Sequence, residues 1–154
     1  MKSSLAAFRI ERRRISVAVF VHDGLDYTGS RELPSLYPKA LESASRYVEW
    51  IRKSFSLEGA ALEKTQSDPK ESRSKFTKEI IKQLRDNGVP VFEVGTNVLL
   101  ASFAHPPLRH RTQLREVISS LWPILATKEK ASCLDAAALG LYVQIEKMLR
   151  ASNQ

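Results

Sequence analysis

Cysteine is nearly absent from this chain of 154 residues, where Cys133 stands alone. A single thiol excludes an intramolecular disulfide, a CxxC redox pair and a cysteine-rich zinc site. The three histidines, His22, His105 and His110, fall at no metal-ligand spacing, and the sequence has neither a GxxxxGK(S/T) nor a GxGxxG phosphate loop. No apolar run approaches the roughly 18 residues of a membrane span. Met1 to Ala7 lacks the charged, apolar and cleavable regions of a signal peptide, so a cytosolic compartment is expected. Acid is also in short supply, with 17 Asp plus Glu against 24 Lys plus Arg and a net charge of +7. That balance favours polyanionic partners, nucleic acid among them. What the chain does have is enough apolar residue, 43%, to bury one core without staples, and a length suited to a single domain over residues 1–154.

Strand-like runs come first. Leu5 to Glu11 (LAAFRIE) is a short apolar run closed by Arg12, Arg13 and Arg14. Ile15 to Val21 (ISVAVFV) is rich in the β-branched residues that suit a pleated surface. His22-Asp23-Gly24 reads as a hairpin turn, with Leu25 to Leu33 as the returning strand. Pro34 and Pro38 close this three-stranded meander. Helical spacing then runs from Tyr37 to Phe55 through Ala40, Ala44, Tyr47, Val48 and Ile51, with Trp50 and Phe55 extending the apolar face. Glu58-Gly59 should break that helix before a buried strand over Ala60 to Glu63.

Thr65 to Ser74 is polar and reads as a loop. Lys75 to Asn87 resumes helical spacing and is capped by Asn87-Gly88. Val89 to Val94 reads as the fifth strand. Helices follow from Thr96 or Asn97 to about Ala104, from Leu108 to Trp122 and from Ser132 to Arg150, with Pro123 to Lys130 as a connector. The order implies an α/β architecture: a five-stranded mixed sheet, part antiparallel meander and part parallel, flanked by helices.

Three carboxylates have places that suit chemistry. Glu11 ends the first strand, Glu63 ends the strand after the first crossover, and Asp135 lies on the first turns of the last helix. Functional groups of an α/β sheet gather at the carboxyl ends of adjacent parallel strands, so Glu11 and Glu63 can become neighbours there with Asp135 above them. Converging carboxylates are stabilised by hard divalent cations such as Mg2+ or Mn2+, and two such ions can drive a phosphodiester displacement. Each residue also has a purely structural account: an ion-paired strand end for Glu11, a buried strand edge for Glu63, and a charge matching the helix dipole for Asp135.

The segment Val89-Pro90-Val91-Phe92-Glu93-Val94, the helices after it, and Ala131-Ser132-Cys133-Leu134-Asp135-Ala136-Ala137-Ala138-Leu139 resemble the final strand and the Asp-bearing last helix of the RuvC-like Holliday-junction resolvases. These belong to the ribonuclease H-like superfamily. Ala18-Val19-Phe20 with Asp23-Gly24 is similar to the second strand and turn of that family. The resemblance implies a ribonuclease H-like fold, a metal-dependent endonuclease acting in DNA recombination and repair, and a homodimer with two symmetric sites. It carries the family's acids onto Glu11, Glu63 and Asp135 as ligands of Mg2+ or Mn2+. Two departures stand out: Glu11 followed by three arginines replaces an Asp followed by a small turn, and Ser132 stands where the family often has a second Asp.

Basic residues surround these positions. Arg12, Arg13 and Arg14 follow Glu11; Lys64, Lys70, Arg73 and Lys75 follow Glu63; Arg109, Arg111 and Arg115 cluster near the start of a helix. As phosphate contacts they would give salt-sensitive binding with little sequence preference. Cys133 reads as a buried thiol, and Trp50 and Trp122 as core residues. The leading expectation is a divalent-metal-dependent nuclease of structured nucleic acid, RuvC-like in type. The alternatives are an inactive module of the same fold that binds nucleic acid or a protein, and an RNA-processing nuclease.

Overall fold

The computed structural model describes the backbone of residues 4–22, 24–64, 72–128 and 131–152, and their side chains except 72–74, 126–128 and 147–152. Five strands are present in this span: β1 (Ser4–Glu11), β2 (Arg14–Val21), β3 (Gly24–Glu32), β4 (Gly59–Lys64) and β5 (Val91–Gly95). They form one sheet in the order β3-β2-β1-β4-β5. β1 pairs antiparallel with β2, and β2 with β3, whereas β1 pairs parallel with β4, and β4 with β5. This is the expected mixed α/β sheet. The helices are α1 (Tyr37–Phe55), α2 (Ser72–Asp86), α3 (Thr96–Ser102), α4 (Arg111–Leu121), α5 (Pro123–Lys128) and α6 (Ala131–Ser152).

Strand periodicity sorts the residues of the sheet onto two faces. Ala6, Phe8 and Ile10 of β1, with Ala60 and Leu62 of β4, point to α1 and α2, where Val48, Ile51, Ile80 and Leu84 are fully buried. Leu5 and Ala7, with Ala61, point the other way and pack on Leu139 and Val143 of α6. Ala18 and Phe20 of β2 complete that second face against Leu114 and Ile118 of α4. The α6 helix comes very close to the sheet at Gly140, where a Cβ would lie 2.2 Å from the Phe20 ring, so only glycine fits.

Several boundaries differ from the sequence reading. Ser56, in the left-handed region at φ 50°, ends α1 two residues before Glu58. α2 begins at Ser72, inside the segment read as loop, and ends as expected with Gly88 at φ 77°. Pro123–Lys128 is a short helix, since Pro suits a first helical position. α4 begins at Arg111 because the Gln113 side chain accepts from the backbone N–H of Arg109 (2.8 Å) and His110 (3.1 Å), fixing the start there. Trp122 packs edge-on to Phe20 and Cys133 is buried, both as expected. Trp50 is 49% exposed, stacked on Tyr47 and edge-on to Tyr27 and Phe55 rather than enclosed. Asp23 of the expected hairpin turn lies outside the described residues, and its neighbour His22 takes a positive φ of 55°. Among the described residues no helix is long and apolar enough to cross a membrane.

Candidate functional site

β1 and β4 run parallel, so their carboxyl ends share one edge of the sheet. The register pairs Phe8 with Leu62, which sets Arg9, not Glu11, beside Glu63. Arg9, Glu11 and Glu63 alternate with the α1-facing apolar residues and therefore share the face covered by α6. Asp135 arrives from above on α6. That helix is held at this end of the sheet by a 2.6 Å hydrogen bond between the Ser132 and Ser16 hydroxyls. Ser132 thus holds the helix that carries Asp135.

Glu63 and Asp135 are both buried, with side chains only 1% exposed, and both are neutralised by arginine. Glu63 accepts from Arg9 Nη1 at 2.8 Å, from Thr96 Oγ1 at 2.7 Å and from Arg111 Nη1 at 3.1 Å, and Arg111 Nη2 bonds its other oxygen. Asp135 takes a two-pronged contact from Arg115, with Nε at 3.0 Å and Nη2 at 2.9 Å. Such paired contacts are among the stronger charge-assisted hydrogen bonds. Arg111 bridges the two acids, with its Nη1 also 3.4 Å from Asp135 Oδ1. Burial alone would raise the Glu63 carboxyl, but Arg111, Arg9 and Thr96 outweigh it and hold the carboxyl below its usual range. Burial likewise disfavours the Arg111 guanidinium, and Glu63 and Asp135 reverse that and raise it. The Arg115 guanidinium is raised chiefly by its bond to Asp135, with a smaller contribution from Glu11.

Glu11 is therefore near Arg115, but its Oε1 is buried with no hydrogen-bond partner among the described residues. Of the expected trio, Glu63 and Asp135 are brought together by Arg111, which bridges them, while Glu11 shares their face of the sheet near Arg115. These acids stand among the guanidinium groups of Arg9, Arg111 and Arg115. Among the described residues no three His, Cys, Asp or Glu side chains lie close enough together to hold a metal ion. Mg2+ and Mn2+ need several oxygen ligands around one point. Here both Glu63 oxygens and both Asp135 oxygens already accept from arginine, and a cation would face three like charges. As they stand, these residues do not fit the divalent cation.

The expected phosphate contacts divide in the same way. Arg12 and Arg13 are exposed on the β1–β2 turn, Lys64 is exposed beyond Glu63, and Arg109 is exposed ahead of α4. Arg111 and Arg115, read as part of that basic rim, turn inward onto the acids instead. They lie on the helical stripe of α4 that also carries the buried Leu114 and Ile118. Arg14 is tied to Glu32 at 2.7 and 2.9 Å. Lys75 is exposed on α2, on the opposite face of the sheet. Lys70 and the Arg73 side chain lie outside the described residues. Arg9 and Thr96 were not among the expected site residues. Arg9 left one signal in the sequence, a charge in an otherwise apolar strand, two positions before Glu11.

No protein-family model matches the chain, and no curated protein sequence is a recognisable relative. Solved structures do match. The chain is similar to Thermus thermophilus RuvC in complex with a Holliday junction substrate, with 12% identity and a TM-score of 0.76 over 90% of this chain and 91% of that one. It is similar to the fowlpox virus resolvase bound to substrate Holliday junction DNA, with 17% identity and a TM-score of 0.62 over 90% and 97% of the two chains. A third likeness is to the yeast mitochondrial Holliday junction resolvase, at 10% identity and a TM-score of 0.64 over 90% and 76%. With its strand order and the position of α6 over the sheet, the chain has the RuvC-like, ribonuclease H-like fold of the Holliday-junction resolvases, in a divergent form.

Proposed function

We propose that this protein binds structured nucleic acid, branched DNA foremost, through the basic rim of its carboxylate cleft, and that it does not cut what it binds. The observation that carries this reading is the closure of Glu63 and Asp135 by Arg9, Arg111 and Arg115. A two-metal displacement needs open carboxylate oxygens, and here arginines cover them. The exposed Arg12, Arg13, Lys64 and Arg109 at the same edge supply phosphate contacts, and the net charge of +7 acts in the same direction. The fold likeness to proteins solved with Holliday junction DNA supports the choice of a branched substrate.

The test is a labelled four-way DNA junction beside duplex and RNA–DNA hybrid controls, with Mg2+ or Mn2+ present. The expected result is junction binding that weakens steeply with salt, and no cleavage. Binding should weaken further in an Arg12→Ala/Arg13→Ala variant, and loss of preference for the junction over duplex would remove branched DNA as the target.

One observation favours a second reading. Glu11 Oε1 is a buried acceptor without a partner beside the ion-paired acids. Were the arginines displaced and the three acids drawn together around one point, Glu11, Glu63 and Asp135 would make the ligand set of a Mg2+- or Mn2+-dependent endonuclease of the RuvC type, a homodimer making two symmetric cuts. Paired incisions that Glu63→Gln abolishes would establish it. Cutting confined to the RNA strand of the hybrid would establish an RNA-processing variant.

A further inference from the structure

We infer that Arg9, Arg111 and Arg115 serve as built-in counter-ions in the place that divalent cations would take in this cleft. The site needs no metal to stand, and it is a cation site closed by arginine rather than one lost. This rests on the non-cutting reading of the cleft and deepens it. Three buried or half-buried carboxylates on one face would repel one another strongly unless positive charge lay among them. The chain supplies that charge as guanidiniums, with Arg9 and Arg111 on Glu63 and Arg111 and Arg115 on Asp135.

The geometry of α4 makes the substitution specific. Arg111 and Arg115 are one helical turn apart on the same stripe, and Arg111 spans Glu63 and Asp135 as a bridging cation would. The planar fork of arginine meets a carboxylate with two bonds, as Arg115 meets Asp135, which a lysine could not do. Glu11 Oε1, buried and unpartnered, is the acceptor that this arrangement leaves over. With Arg111 and Arg115 replaced by apolar side chains, Glu63 would keep Arg9 while Asp135 lost both of its arginines, and the pair that Arg111 had bridged would attract Mn2+.

The experiment needs no nucleic acid. Mn2+ is titrated into the full chain and into Arg111→Met/Arg115→Met, with free Mn2+ followed by electron paramagnetic resonance and melting followed by circular dichroism. The wild-type chain should take up no Mn2+ below about 10 mM, and EDTA should leave its melting unchanged. The double variant should bind with a Kd of about 0.1–1 mM, in the range of weakly held divalent ions. Mn2+ should also raise its melting temperature, and Glu63→Gln added to it should weaken binding at least about tenfold. Glu63-dependent Mn2+ uptake by the wild-type chain would overturn the inference, as would a folded double variant that takes up none. If the double variant does not fold, Arg111→Met alone replaces it: Mn2+ uptake by that chain supports the counter-ion role, and no uptake overturns it. Junction cleavage by a wild-type chain that binds no Mn2+ would sink the non-cutting reading while leaving the counter-ion role intact.

Discussion

The two faces of the sheet solve the same packing problem with different chemistry. Toward α1 and α2 the contact is mainly apolar, from Ala6, Phe8 and Ile10 to Ile51, Ile80 and Leu84, with neutral hydrogen bonds at its margins from Ser4 to Ser56 and between Tyr27 and Tyr47. Toward α6 it is apolar over Leu5, Ala7, Ala61 and Leu139 but turns ionic at the strand ends, where Arg9, Glu63, Arg111, Asp135 and Arg115 interlock. The first face draws its stability from area and shape. The ionic end draws little net stability from burial of its charges, because desolvation offsets attraction, yet it is intolerant of losing any one partner.

The contrast can be broken at four points. Phe8→Ala, fully buried on the apolar face, should cost about 4 kcal/mol in urea unfolding, by nearly the same amount at pH 5 and pH 8. Glu63→Ala should cost about 3 kcal/mol at neutral pH, because Arg9 and Arg111 lose the buried carboxylate they share. Its loss should depend on pH. The Glu63 carboxyl is depressed in the folded state, so it contributes stability above its unfolded value near 4.5, and that contribution disappears as pH falls through the lower folded value. Unfolding curves of the wild type and Glu63→Ala should therefore converge in acid, and curves that stay parallel would show that the ion pairs contribute nothing.

Gly140→Ala should cost about 2 kcal/mol, since its methyl meets the Phe20 ring, and Phe20→Leu in the same chain should recover part of that. A loss that Phe20→Leu leaves untouched would point to the helix rather than to the contact. Arg14→Ala is the small end of the scale. Its partner Glu32 is 60% exposed, so the loss should stay below about 0.5 kcal/mol and vanish in high salt.

The fold was legible because its signals are local. Short apolar, β-branched runs in β1 and β2, helical spacing in α1, α2 and α6, and Gly88 after α2 fixed the order of elements, and the order constrained the sheet. The carboxylates were legible for the same reason: strand ends and a helix start are topological places. The arginines were not, because a basic residue in a helix reads as solvent-facing unless the packed stripe is known. Arg111 and Arg115 share theirs with Leu114 and Ile118, a signal present in the sequence but outweighed by the habit of reading charge as surface. Arg9 was missed through register. The sequence does not say which residue of β1 stands beside Glu63, and a two-residue offset keeps the same face while exchanging Glu11 for Arg9.

The Ser16–Ser132 hydrogen bond joins residues 116 positions apart, and Arg115 reaches Asp135 only when α6 lies in its groove. The cleft is therefore complete only once α6 has docked on the sheet. Closing so long a loop is slow, and little rewards it until α6 docks. A hydrogen-exchange pulse during refolding should find the amides of β1 and β4 protected before those of α6. In the interval, Glu63 would already have Arg9 beside it, while Arg115 waited for its acid.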